Sequence, residues 1–262
     1  MKHGPQRPAT TGAFQVLRVL ENLALGGEVG VSDLATQLSL PKSTTHRLIA
    51  TLVGAGLAEQ DASTHKYRAA VRLLEWADAV RSRIGARDVV HSFLVRLASE
   101  TRETANLGVL RDESVVYLDK VGSGEPYTID IRIGTAMPAH CTALGKSIIA
   151  FLPDEEIQRR VELLTLVKRT PRSVMSRRLL LRQLREVRAL GFARDDGEVL
   201  EDICCIAAPV FDADHRPIAA VSVSSPRSRF LGKQEAMSVI VRETAASLSE
   251  ALRYADRSEI RA

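Results

Sequence analysis

The sequence predicts an α+β chain in two parts: an N-terminal winged helix-turn-helix, then a linker helix leading to a domain with an antiparallel sheet flanked by helices. Three observations carry this. Residues 13–70 run helix, helix, turn, helix and hairpin. A long amphipathic helix follows over 71–86. Beyond it the apolar period switches between 3.6 and two, and the period-two runs come in pairs separated by short polar turns. A length of 262 residues suits one large domain or two modest ones, and 45% apolar residues can fill sizeable cores. Aromatics make up only 4%, so those cores are aliphatic.

The elements follow in order. Residues 1–12, MKHGPQRPATTG, lack the apolar run of a signal peptide and read as a disordered leader. Phe14, Leu17, Leu20, Leu23 and Ala24, with Val19 partly, repeat near a helical period until Gly26-Gly27 stops them. Ser32 is the expected cap of the second helix. Asp33 lies in its first turn, where the helix dipole favours an anion, and Leu34, Ala35 and Leu38 face inward. Ser39-Leu40-Pro41 is a turn, and the third helix follows it. LAEQ and KYRAA, on either side of DASTH, form the hairpin. In the linker helix Leu73, Trp76, Ala77, Val80 and Ile84 share one face, opposite Arg72, Glu75, Asp78, Arg81 and Arg83. The domain boundary is expected near Gly85.

The second domain, residues 87–255, opens with a helix carrying Val90, Phe93, Leu94 and Leu97. TANLGVL and SVVYLDKV flank RDE as a hairpin, and Ile129, Ile131 and Ile133 alternate with Asp130 and Arg132 as a half-buried strand. Helices are expected from near Thr142, over 154–164, and over 176–190 with Gly191 as the stop. The acidic run DDGEVLED reads as a solvated loop with one carboxylate able to turn inward. ICCIAAPVF and PIAAVSVSS flank the turn DADHR as two strands. A final helix carries Met237, Ile240, Val241, Thr244, Leu248 and Leu252, and 256–262 form a tail.

The third helix is polar at its start and apolar at its end. A recognition helix needs that asymmetry, because its first turn enters the major groove while its later turns pack on the other helices. Lys42, Ser43, Thr44, His46 and Arg47 are the expected contacts to bases and phosphates of double-stranded DNA. Lys66, Tyr67 and Arg68 in the hairpin are placed to touch the flanking backbone or minor groove. The alternative is a three-helix protein-contact module with Ser and Thr as caps; the wing, following at the right place, favours DNA. The net charge of +4 is compatible with nucleic acid but modest. With Glu59 and Asp61 nearby, one copy binds weakly, so a dimer reading two half-sites is expected.

Several enzyme-like motifs do not hold together. HCTALGKS nearly matches a phosphate-binding loop, but His140 replaces the first glycine, which that loop's backbone nest requires. Ser39-Leu40-Pro41-Lys42 fits S-x-x-K without its partner motifs. The histidines show no i, i+4 pair, and Cys204-Cys205 are adjacent rather than C-x-x-C. No metal, cofactor or catalytic residue is therefore expected. Three cysteines offer no disulfide framework, and no apolar stretch reaches spanning length, so the expected setting is the cytoplasm with no membrane partner.

Three stretches resemble the IclR-type transcriptional regulators: STTHRLIATLVGAGL, their recognition helix; GTAMPAHCTALGKSIIAFLP, their G-x-x-x-P-x-H-x-[ST]-A-x-G-K signature; and residues 191–230, ending in S-x-S-x-P-x-x-R at Ser222, Ser224, Pro226 and Arg229. The resemblance spans about residues 13–255. It implies a GAF-like effector domain behind the winged helix-turn-helix and a homodimer or dimer of dimers; the effector expected there is a small carboxylate-bearing metabolite. It also makes the Gly-Lys pair a family feature rather than a nucleotide site. Carried over position by position, the effector site falls on Ala143, Leu144, Asp195, Cys205, Ser222 and Ser224, with Ile129, Met137 and Ile203 as apolar lining. The chemistry agrees in part: Ser222 and Ser224 share one strand face and can donate to the same ligand, and the helix opening at Thr142-Ala143-Leu144 directs N–H groups outward. The sequence departs from the family at Gly197, where an acid is common, and at Asp202, where glycine is common. The other readings are a constitutive DNA-binding oligomer and a small-molecule enzyme using Cys205 or Asp195.

Overall fold

The computed structural model describes residues 12–82, 87–125 and 131–259. The chain divides into two compact units, before and after the 84/85 junction. In the first, α1 (Gly12–Gly26), α2 (Val31–Leu38) and α3 (Lys42–Gly54) precede a hairpin of β1 (Ala58–Gln60) and β2 (Tyr67–Ala69), then α4 (Arg72–Ser82). Val19, Leu23, Leu34, Leu38, Leu48, Ile49 and Leu52 form the core of this winged helix-turn-helix. The buried stripe of α1 is set by Val19 and Leu23, one turn apart, with Val16 and Leu20 beside them. Leu17, expected in that stripe, is 61% exposed, and Phe14 is exposed too. The cap of α2 also differs from expectation. The helix starts at Val31, so Gly30 is the cap and Ser32 lies inside the first turn, its carbonyl accepting from the Thr36 hydroxyl. Ser39 takes a left-handed φ of 54° and turns the chain into α3. Val29 pairs with Tyr67 through two 2.9 Å backbone hydrogen bonds, which adds a third strand position to the wing.

In the second unit α5 (Arg87–Thr101) leads into β3 (Thr104–Arg111) and β4 (Ser114–Val121), with Asp112 at the hairpin turn. Then come β5 (Ala136–Pro138), a 3-10 turn (Ala139–Cys141), α6 (Ala143–Ile149), α7 (Asp154–Leu163) and α8 (Arg177–Leu190). The chain ends with β6 (Ala193–Asp196), β7 (Ile203–Phe211), β8 (Pro217–Pro226), α9 (Arg227–Phe230) and α10 (Gln234–Glu259). One antiparallel sheet runs β5-β4-β3-β8-β7-β6. Period two sends Leu107, Ile206, Val221 and Val223 to one face, against Leu94, Leu97, Val241 and Leu248 of α5 and α10. The opposite face meets α6, α7 and α8 through Leu144, Ile148, Val161, Leu180 and Leu184. Ile129 of the expected 129–133 strand lies outside the described residues. Ile131 and Ile133 are not in a strand: Gly134, with φ of 86°, makes a turn there, closed by Thr135 N–H to the Arg132 carbonyl; Tyr117 of β4 bonds the Gly134 N–H and the Thr135 carbonyl, and strand β5 begins at Ala136. Part of the acidic run expected as loop is the edge strand β6.

Candidate DNA interface and ligand pocket

The first turns of α3 present Lys42, Ser43, His46 and Arg47 to solvent on one face, with Thr44 half-buried. Thr45, the next residue, is fully buried, and its hydroxyl bonds back to the Pro41 carbonyl. No acid shares this face of α3. The wing is shaped by Asp61, whose carboxylate accepts from the backbone and hydroxyl groups of Ser63 and Thr64; the Ser63 hydroxyl leads these in holding it well below the usual carboxylate range. Lys66 is exposed at the wing, and Arg68 is exposed but engaged by Glu59 at 2.7 Å and Glu28 at 2.9 Å. Tyr67 corrects the sequence reading. It is 9% exposed and packs in the winged-helix core, because pairing with Val29 turns its ring inward.

In the second unit the strand register lines up Thr104, Ser224, Cys205 and Asp195 across β3, β8, β7 and β6. Asn106 stands opposite Ser222 in the adjacent row. Ser222, Ser224 and Asn106 are each at most 2% exposed. Their face is the α6 side, whose core includes the small residues Ala193, Ala207 and Ala220. The Asn106 amide Nδ2 donates to Ser224 Oγ at 3.1 Å and to Ser222 Oγ at 3.4 Å. Cys205 Sγ lies 3.2 Å from Ser224 Oγ. Asn106 Oδ1 has no partner among the described residues. Tyr117, buried on the same side, has its hydroxyl pKa pushed up by burial first, then by Cys205, Asp195 and Cys141 nearby. Of the residues the family resemblance placed here, Ala143 and Leu144 are buried in the first turn of α6, which packs on β7 and β8. Met137 is partly buried against this core, and Ile203 lies two residues along β7 from Cys205.

A buried charge group borders the cluster. Lys146 Nζ donates to Glu198 Oε1 at 2.5 Å, with side-chain exposures of 2% and 7%. Glu198 Oε2 has no partner among the described residues, and burial outweighs Lys146 in pushing the Glu198 carboxyl above its ordinary range. The Glu198 N–H donates to Asp195 Oδ1 at 2.6 Å. Burial pushes Asp195 up to about 7, against the opposing effect of that N–H. Lys146 therefore answers to a carboxylate of its own chain, which accounts for the Gly-Lys pair of the near phosphate loop. Gly145 is needed there because a Cβ would fall on the Ala139 carbonyl. All three cysteines are free, and burial holds each thiol well above its usual value, with Cys141 and Cys204 pushed up to about 12.

Sequence reasoning missed Asn106, Tyr117 and the Lys146–Glu198 pair. Asn106 had a signal: in TANLGVL it is the polar residue between Ala105 and Leu107, both of which face the other core.

A winged helix with an open cationic recognition helix, joined to a domain with a polar cluster buried in its core, defines a helix-turn-helix transcriptional regulator with a ligand-type second domain. Residues 13–62 match the IclR helix-turn-helix domain and residues 79–250 the bacterial transcriptional regulator IclR C-terminal domain. The chain belongs to the IclR family of bacterial transcriptional regulators. It is 31% identical over 260 residues to the HTH-type transcriptional regulator KdgR of Dickeya chrysanthemi, covering 96% of this chain and 83% of that protein. The crystal structure of the Thermotoga maritima IclR aligns with a TM-score of 0.80 at 29% identity, over 92% of this chain and 98% of that one. An IclR homologue from Microbacterium hydrocarbonoxydans, complexed with 4-hydroxybenzoate, aligns with a TM-score of 0.79 at 25% identity, over 93% and 100% of the two chains.

Proposed function

We propose that this regulator binds a small carboxylate-bearing metabolite among Ser222, Ser224, Asn106, Cys205 and Asp195, and that the ligand shifts its DNA affinity. Ala143, Leu144, Met137 and Ile203 line the site, with Ile129 completing it in the sequence reading. DNA is read by Lys42, Ser43, Thr44, His46 and Arg47, with Lys66 and Arg68 at the flank. The acting species is a cytoplasmic homodimer or dimer of dimers, since one modest cationic face needs a second half-site. No helix among the described residues is long and apolar enough to cross a membrane.

The observation that carries the reading is the buried cluster itself. Polar groups in an apolar core are costly unless satisfied, and Asn106 Oδ1 is buried without a partner among the described residues. A constitutive oligomer has no use for that arrangement. Catalysis is not part of the reading: the Cys205 thiol is kept protonated by burial, and its hydrogen-bonding neighbour is a serine, not a base. The ligand acts only through its differential affinity for the conformations the protein already samples. Calorimetric titration with short-chain and aromatic carboxylates tests the site. At least one acid should bind the wild type and lose about tenfold in affinity in Ser224→Ala. Equal affinity in both proteins would remove the serines from the site.

A further inference from the structure

We infer that Asn106 determines the specificity of this pocket by reading a hydroxyl next to the carboxylate, so that the preferred effector class is the 2-hydroxy acid. The inference rests on the reading of Ser222 and Ser224 as the carboxylate's donors.

Each serine hydroxyl has one hydrogen to give and lone pairs to receive. Asn106 Nδ2 donates to both, at 3.1 Å on Ser224 and 3.4 Å on Ser222. The Ser222 hydroxyl hydrogen is then what that serine holds out to a ligand, and Ser224 does the same when Cys205, 3.2 Å away, is the donor in their shared bond; both suit a carboxylate with acceptors only. The carbonyl end of the same amide has a different need. Asn106 Oδ1 is buried, has no partner among the described residues, and accepts. A carboxylate cannot satisfy it, so the donor must come from elsewhere on the ligand. Oδ1 and Nδ2 share one carbon, so that donor lies beside the atoms the serines hold. On a small acid that position is the substituent of the carbon next to the carboxylate. A hydroxyl fits it. An ammonium would bring a charge and three donors to one neutral acceptor, and the site's carboxyl, Asp195, stands on β6, three strands across the register from Thr104. A 2-oxo group would set two acceptors face to face. Further along β3 this side is closed, since Val115 and Leu144 pack directly over Gly108.

The test is calorimetric titration of the full chain with two matched pairs, lactate against pyruvate and mandelate against benzoylformate. In each pair the skeleton is constant and only the 2-substituent changes. The wild type should bind the hydroxy member about tenfold more tightly, the cost of leaving one buried acceptor unpaired. Asn106→Leu, similar in volume, should bring the ratio to about one. The wild-type ratio stands as a test even if Asn106→Leu does not fold. Equal affinity within both pairs overturns the Asn106 inference and leaves the carboxylate site standing. A preference for the oxo acids also overturns it, since that is what the amide turned end for end would give. Binding of none of the four acids overturns the carboxylate site and this inference together.

Discussion

Lys146→Met tests the energetics of the effector domain's core most sharply. Lys146 and Glu198 are buried together, 2.5 Å apart, and Glu198 has only one of its oxygens partnered by a side chain. Methionine fills much the same volume but leaves the Glu198 carboxylate without its counter-charge. Breaking a buried pair from one side costs about 3–5 kcal/mol. For a unit of this size each kcal/mol moves the melting temperature by about 2–4 °C, so the second unit should melt about 6–20 °C lower. The loss depends on pH. Burial already holds Glu198 above its ordinary range, and losing Lys146 raises it further. A raised folded-state value means that the native state keeps a proton the unfolded state releases. Stability is then fullest below the unfolded value, near 4.3, and is lost as pH rises through the folded one. The deficit relative to wild type should widen from pH 5 to pH 8. Lys146→Met combined with Glu198→Leu should recover most of it, because an apolar pair costs no desolvation. Scanning calorimetry at the two pH values is the assay. A single variant melting within about 2 °C of wild type at pH 8, or a deficit that does not change with pH, would refute the reasoning.

Two further outcomes follow from the same core. Gly145→Ala places a Cβ on the Ala139 carbonyl oxygen and 2.5 Å from the Ala139 Cα, so α6 and the 3-10 turn must separate; thermal unfolding should show a loss of about 3 kcal/mol, while Gly54→Ala, in open space at the end of α3, should show none. Asp195, pushed up to about 7 by burial, contributes stability below its unfolded value that is lost as pH rises from about 4 through 7. Denaturant midpoints should therefore fall less between pH 5 and pH 8 in Asp195→Asn than in wild type, and an unchanged fall would contradict the assignment.

Local chemistry made much of the fold legible. The helix at 177–190 has Ser176 bonding the Leu179 N–H at one end and Gly191, with φ of 78°, at the other, and both residues stand in the sequence as start and stop signals. The hairpins around Asp112 and over 203–226 follow from apolar runs split by polar turns. What stayed hidden depends on partners distant in sequence. The inward turn of Tyr67 is set by Val29, and a three-residue strand has too little alternation to reveal it. Ile131 and Ile133 mimic a strand, but Gly134 places the turn that pairing needs before Ala136. The shared inward face of Ser222 and Ser224 was legible, because Val221 and Val223 alternate with them onto the opposite face. Glu198 lies 52 residues from Lys146, and nothing local in the acidic run marks it as the buried member.

The central claim is that the start of α3 reads DNA. Selection of duplexes from a random pool by the full chain, with Arg47→Ala carried in parallel, tests it most directly. Arg47 is exposed on α3 and has no acid beside it there. The wild type should enrich a motif of two related half-sites, bound with an affinity that falls steeply with salt. Arg47→Ala should enrich it poorly and show a shallower salt dependence, by roughly one phosphate contact per half-site. An identical motif and salt dependence in both proteins, or no motif from the wild type, would contradict the account.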